Sequence, residues 1–156
     1  MHSDRSSRQT ETQYRLNEYN DIDDPLADCL VYLGNIYNVP LSRTALKAGL
    51  PLVQDRLTIE LFPRAAQRAG FSCRLLKRTL TKITVYELPV VLLLNDGRSC
   101  ILAGFEEDAQ HAKIILPESG LGESLISLEE LSSIYAGHAF FVRPKYRHDK
   151  QLIDSQ

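Results

Sequence analysis

Three observations predict an α+β fold in which N-terminal helices pack on an antiparallel β-sheet. Apolar residues between Leu26 and Ala69 recur at helical spacing, whereas from Phe71 onward they alternate or run continuously as in strands. Asn95-Asp96-Gly97-Arg98 then separates two strand-like runs with the chemistry of a hairpin turn, since Asp-Gly readily supplies positive φ. Helices first and a meandering sheet second is the α+β order.

The first helix has a well-marked start in Asp23-Asp24-Pro25-Leu26-Ala27-Asp28-Cys29-Leu30. Asp24 is placed to cap unpaired amides, and Pro25 follows at a position where its missing N–H costs nothing. Leu26, Cys29, Leu30, Leu33 and Tyr37 share one stripe facing a core, with Gly34 as the weak link in the pattern. Val39-Pro40 closes this helix. A short second one is expected over Arg43 to Ala48, capped by Ser42 and stopped by Gly49. A third covers about Thr58 to Ala69, starting either at a Thr58 cap or with Pro63 as its first residue.

Strands follow at Phe71 to Leu75, at Pro89 to Leu94 as a central strand buried on both faces, and at Ser99 to Phe105. Glu106 to Gln110 is a polar loop, His111 to Leu116 a strand, and Pro117 to Gly122 a loop. A short helix capped at Ser127 and a last strand from Gly137 to Val142 complete the order.

Bulk properties narrow the function. The 156 residues, 44% hydrophobic and 24% charged, suit one soluble domain with its own core. Residues 1–20 form a polar arm, 21–143 the domain, and 144–156 a charged tail. A net charge of −2 provides no basic field for phosphates, so no nucleic-acid partner is expected. The longest apolar run, Leu88 to Leu94, is far short of the ~20 residues of a membrane-spanning helix. Without an apolar signal stretch at the N-terminus, the expected compartment is cytoplasmic. Cys29, Cys73 and Cys100 each lie in a periodic apolar segment, which suits reduced, buried thiols, and no metal set is spaced among them.

The order of a capped apolar helix and a meandering sheet resembles the papain-like architecture. In detail, residues 19–143 resemble the double-glycine (bacteriocin-processing) cysteine peptidase domain at the N-terminus of some ABC exporters. That family carries Asp-Cys-Gly-x-x-Cys-Leu at its first helix, the first cysteine being the nucleophile, with an oxyanion-hole glutamine about six residues earlier. Here the matching run is Asp24-Pro25-Leu26-Ala27-Asp28-Cys29-Leu30, so Pro25 takes the nucleophile's place and Tyr19 falls near the glutamine's. The family's histidine and aspartate positions are occupied by Ser99 and Leu116. The resemblance therefore implies no catalytic residue and no peptidase activity.

Elementary chemistry agrees. A catalytic thiol belongs at a helix N-terminus, where unpaired amides lower its pKa, and proline has no nucleophilic atom. Cys29 lies one turn further in, on the apolar stripe, where low dielectric raises a thiol's pKa. His111 and His138 begin strands rather than standing where the family places its base.

A peptidase-like body without its triad resembles the inactive N-terminal domains of type I secretion ABC transporters, which the haemolysin exporters and the RTX-adhesin exporters carry. The wording of Ala48-Gly49-Leu50-Pro51, Leu57-Thr58-Ile59-Glu60-Leu61-Phe62-Pro63-Arg64-Ala65-Ala66, Leu92-Leu93-Leu94-Asn95-Asp96-Gly97-Arg98 and Leu116-Pro117-Glu118-Ser119-Gly120 is most similar to the adhesin-exporter group. The resemblance implies a domain on the cytoplasmic face of the bacterial inner membrane, excised from a longer protein. It implies as partners an unfolded secreted polypeptide (an RTX protein or adhesin) and the transporter's own transmembrane and nucleotide-binding domains. ATP and Mg belong to that absent nucleotide-binding domain, and no cofactor is expected here. Tyr19, Tyr32, Tyr37, Phe105 and His111 are the candidate substrate-binding residues. Two other readings stay open: a divergent cysteine peptidase that cleaves a leader peptide with Cys29 or Cys100, and a module that docks on the transporter's ATPase domain.

Overall fold

The computed structural model describes residues 24–117 and 120–145. Three helices come first: α1 (Pro25–Ile36), α2 (Arg43–Lys47) and α3 (Phe62–Arg68). Strands β1 (Phe71–Lys77), β2 (Val90–Leu94), β3 (Ser99–Phe105), β4 (His111–Leu116), β5 (Gly122–Ser127) and β6 (Tyr135–Pro144) form one antiparallel sheet in the order β1-β6-β2-β3-β4-β5. Helix α4 (Leu128–Ile134) stands between β5 and β6.

Two cores sandwich the sheet. On one face α1 to α3 bury Leu30, Leu33, Leu46 and Phe62 against Val91, Ile101, Ile115 and Phe140, with the Phe62 and Phe140 rings stacked at 4.3 Å. On the other, Leu131 of α4 and Leu80 and Ile83 of a 3-10 segment cover Val90, Leu92, Cys100 and Leu102. All five residues of β2 are buried, as a continuous apolar run between two covering layers requires.

The capping predictions hold at atomic detail. Asp24 accepts the Ala27 N–H and Pro25 opens α1, while Ser42 caps α2 by accepting the Ala45 N–H at 3.1 Å. Neither expected start of α3 holds to the residue, since Phe62 opens the helix and Pro63 is second. Thr58 caps only a preceding turn, its hydroxyl accepting the Leu61 N–H, and the helix proper starts at Phe62, so the expected start at Thr58 is corrected. In that position the proline's missing N–H is one that no helical bond would use.

Three features exceed the sequence reading. β5 fills 122–127, most of it a stretch to which the sequence assigns no element, β6 runs from Tyr135 to Pro144, and two 3-10 turns stand at Leu80–Lys82 and Val85–Glu87. Of the tail, Lys145 still donates its N–H to Gly70. The remainder, like the arm and Tyr19, lies outside the described residues.

Gly34 has a structural role. A Cβ there would sit 2.5 Å from the Val39 carbonyl oxygen and 2.6 Å from a Leu41 methyl, where the chain folds back after α1. Gly34→Ala is expected to lower stability by about 2 kcal/mol, because the clash outweighs the better helix propensity of alanine. A urea midpoint that falls at unchanged m-value checks this, and an unchanged or raised midpoint refutes it.

Candidate functional site

The start of α1 presents Pro25, half-buried, directly after Asp24. Asp24 has no exposed surface, yet its carboxylate is fully engaged. Besides Ala27 it accepts the Leu57 N–H at 3.2 and 3.1 Å and the Lys47 ammonium at 3.0 Å. Lys47 also donates to the Asp55 carbonyl at 2.8 Å. The residue therefore ties α1, α2 and the segment before α3 together, and a charged group that deep persists because each partner lessens its desolvation cost.

One turn into α1, Cys29 is fully buried, its Sγ 3.8 Å from the Oγ of Ser99, the first residue of β3. The structure thus brings the opening of α1 and Ser99 to one corner on the helix side of the sheet. Leu116 does not join them. It ends β4 packed against the core on the opposite face. Cys100 also belongs to that opposite core, in register with Leu92, so the sheet stands between it and Cys29. The alternation of β3 alone could have foretold this, since adjacent residues point to opposite faces.

His111 opens β4 at the far end of that strand from Ser99, roughly 20 Å away at ~3.3 Å per residue. Its Nδ1 lies 2.8 Å from Asp108 Oδ2. Asp108 in turn accepts the Gln110 N–H at 2.8 Å; that bond first, and His111 second, hold its carboxyl below the ordinary range. His138 is exposed on β6 opposite Lys77, with β2 between its strand and β3.

The four aromatic and histidine candidates among the described residues, Tyr32, Tyr37, Phe105 and His111, divide into two places. Tyr32 and Tyr37 pack half-buried against the helix-side core, Tyr37 with its ring 5.8 Å from Phe71. Phe105 and His111 meet at a cavity of about 650 Å³ beside the β3–β4 turn, which sequence reasoning did not foresee as a unit. Lys113 and Leu125 also line it, and they were missed because each is unremarkable until β4 and β5 pair. No group of side chains suited to a metal ion occurs among the described residues. No described helix is long and apolar enough to cross a membrane.

Comparison with solved structures finds the same architecture. The N-terminal peptidase C39 like domain of the toxin secretion ATP-binding protein from Vibrio parahaemolyticus is 37% identical, with a TM-score of 0.75 over 79% of this chain and 98% of that one. A double glycine motif protease from an AMS/PCAT transporter, solved with its leader peptide, shares the fold at 17% identity and a TM-score of 0.66, covering 78% of this chain and 85% of that chain. The peptidase domain of Streptococcus ComA, a bifunctional ABC transporter, does so at 19% and 0.68, covering 80% and 94%. The comparison with curated proteins gives no match. A sequence model of the peptidase C39 family matches residues 14–147, and with the 37% identity over most of the chain this places the protein in the peptidase C39 family.

Proposed function

We propose that this chain is a non-catalytic peptidase-like domain of a type I secretion ABC transporter, of the RTX-adhesin exporter kind, that holds an unfolded secreted polypeptide for export. One observation supports the reading: a proline heads α1, at the place the family resemblance gives to the nucleophile, and the nearest thiol, Cys29, is wholly buried a turn further in. Ser99, not an imidazole, is the β3 residue that meets that thiol. A buried thiol beside a serine, behind a proline, offers no thiolate at that corner to attack a bound chain.

The similarity to the Vibrio domain of a toxin secretion protein supports the exporter setting, and the leader-peptide complex of the AMS/PCAT protease supports a fold suited to holding extended chain. The domain would stand on the cytoplasmic face of the inner membrane beside transmembrane and nucleotide-binding domains, the latter using ATP and Mg. Binding is expected to be weak and multisite, because ordering a disordered chain consumes much of the interaction energy.

Titrating the ¹⁵N-labelled chain with an unfolded RTX segment, and separately with the nucleotide-binding domain, tests this. Shifts at Tyr32, Tyr37, Phe105 or His111 with the RTX segment, and no cleavage of it, are expected. Shifts with the nucleotide-binding domain alone would make the chain a docking module. Cleavage abolished by Cys29→Ala would make it a peptidase.

A further inference from the structure

The sheet has two edges of different chemistry. β1 displays Arg74 and Lys77 on its exposed positions, the charged guards that discourage strand addition. β5 reads Gly-Glu-Ser-Leu-Ile-Ser, without lysine, arginine or proline. It pairs with β4 in unbroken register from His111↔Ser127 to Leu116↔Gly122, so no bulge twists it away. Among the described residues no strand lies beyond it.

The surface beside that edge is apolar at one point and acidic around it. Leu125, 61% exposed, is the cross-strand partner of Lys113, and both line the cavity at the β3–β4 turn. Glu106, Glu107 and Asp108 line the same cavity. Glu123 lies two residues from Leu125 on the same face. Lys113 and, beside Asp108, His111 are the cationic or titratable partners of these four carboxylates, so acidic side chains outnumber basic ones at this edge. A second copy pairing β5 to β5 would bring acidic rims together, which disfavours self-association there.

Resting on the recruitment reading above, we propose that the β5 edge takes an extended, lysine- or arginine-bearing segment of the transported polypeptide as an added strand, with one apolar side chain seated on Leu125. Main-chain hydrogen bonds give such a site affinity for almost any extended sequence, and the side chains on either side of it set the preference. Here the preference is for cationic residues flanking a β-prone stretch. The place is distinct from the Pro25 and Ser99 corner, two strands away on the sheet from β3.

The test uses the ¹⁵N-labelled chain with the peptide acetyl-Lys-Lys-Thr-Val-Thr-Val-Thr-Lys-Lys-amide and its counterpart with glutamates at the lysine positions. The lysine peptide is expected to shift and slow the exchange of amides confined to β4 and β5. The glutamate peptide is expected to bind at least about tenfold more weakly. Leu125→Lys, which sets a guard on the edge, should weaken the lysine peptide about tenfold, and Leu125→Ser should do so by a smaller factor. Leu125 is exposed enough for both substitutions to leave the unfolding midpoint nearly unchanged, and that measurement verifies that the variants fold. Equal binding by the variants, shifts at the α1–β3 corner alone, or β5 protected by self-association without peptide would each overturn the proposal. An unfolded RTX segment run in parallel separates the two claims. If it moves amides elsewhere and leaves β5 untouched, the edge site is wrong and recruitment stands. If the lysine peptide protects β5 while no RTX segment moves any amide, the edge site stands and recruitment falls.

Discussion

Asp24→Ala is expected to destabilise the domain by about 3–5 kcal/mol, enough to unfold a marginally stable chain at ordinary temperature. The substitution removes the acceptor of two backbone N–H groups, Ala27 and Leu57, and strips Lys47 of its carboxylate. The Lys47 side chain is only 12% exposed, so its charge is left with little water in exchange. Loss of a helix cap alone costs about 1 kcal/mol, and each buried donor left unmade adds about 1–3. Asp28→Ala is the control. It breaks the Arg43–Asp28 pair at 2.8 Å, whose side chains are 19% and 26% exposed, and partial solvation limits that loss to about 1 kcal/mol or less. Chemical denaturation of both variants reads the difference, and equal losses would mean that Asp24 is an ordinary cap and not a tie between three segments.

That role accounts for an aspartate directly before Pro25 without any appeal to catalysis. Its contacts reach α2 and Leu57, not a reacting atom, so the scaffold needs it whether or not chemistry occurs.

What the sequence disclosed and what it hid follow from the range of the forces involved. Caps at Asp24 and Ser42, the apolar stripe of α1, the buried β2 and the Asp96-Gly97 turn are local or periodic signals, and each is found where its residues predict. β5 escaped because an edge strand buries little. Its residues are half-exposed or exposed, so no strong alternation marks it. The 3-10 turns over 80–87 lack the length to show a period. At the corner, Pro25 at the head of α1 could be read directly, but two placements could not. The Ser99 hydroxyl contacts Cys29 across seventy residues, and Leu116 sits on the opposite face of the sheet. The first depends on how α1 seats on β3 and the second on which face of the sheet β4 turns to the helices, neither of which composition encodes.

The three cysteines provide the sharpest chemical contrast between holding a chain and cutting it. In the native protein Cys29 and Cys100 have no accessible surface, so iodoacetamide reaches them only through opening of the fold. Opening that costs ~4 kcal/mol or more slows them at least about a thousandfold relative to the denatured chain. Cys73, on edge strand β1, is partly exposed, but burial pushes its thiol up from 9.0 to about 12. At neutral pH this lowers its thiolate fraction about a thousandfold, while the greater nucleophilicity of a more basic sulfur restores roughly thirtyfold. Cys73 should therefore react roughly thirtyfold more slowly than an ordinary exposed thiol, at a rate that rises about tenfold per pH unit up to at least pH 10. An activated peptidase thiol behaves in the opposite way, with rapid labelling that levels off below neutrality because the thiolate is already formed. Mass spectrometry of the native chain after brief labelling across a pH series distinguishes the two. One fast equivalent on Cys29, flat with pH, would replace recruitment by catalysis. Slow labelling confined to Cys73 and climbing with pH is the result expected of a domain whose cleft binds polypeptide without cleaving it.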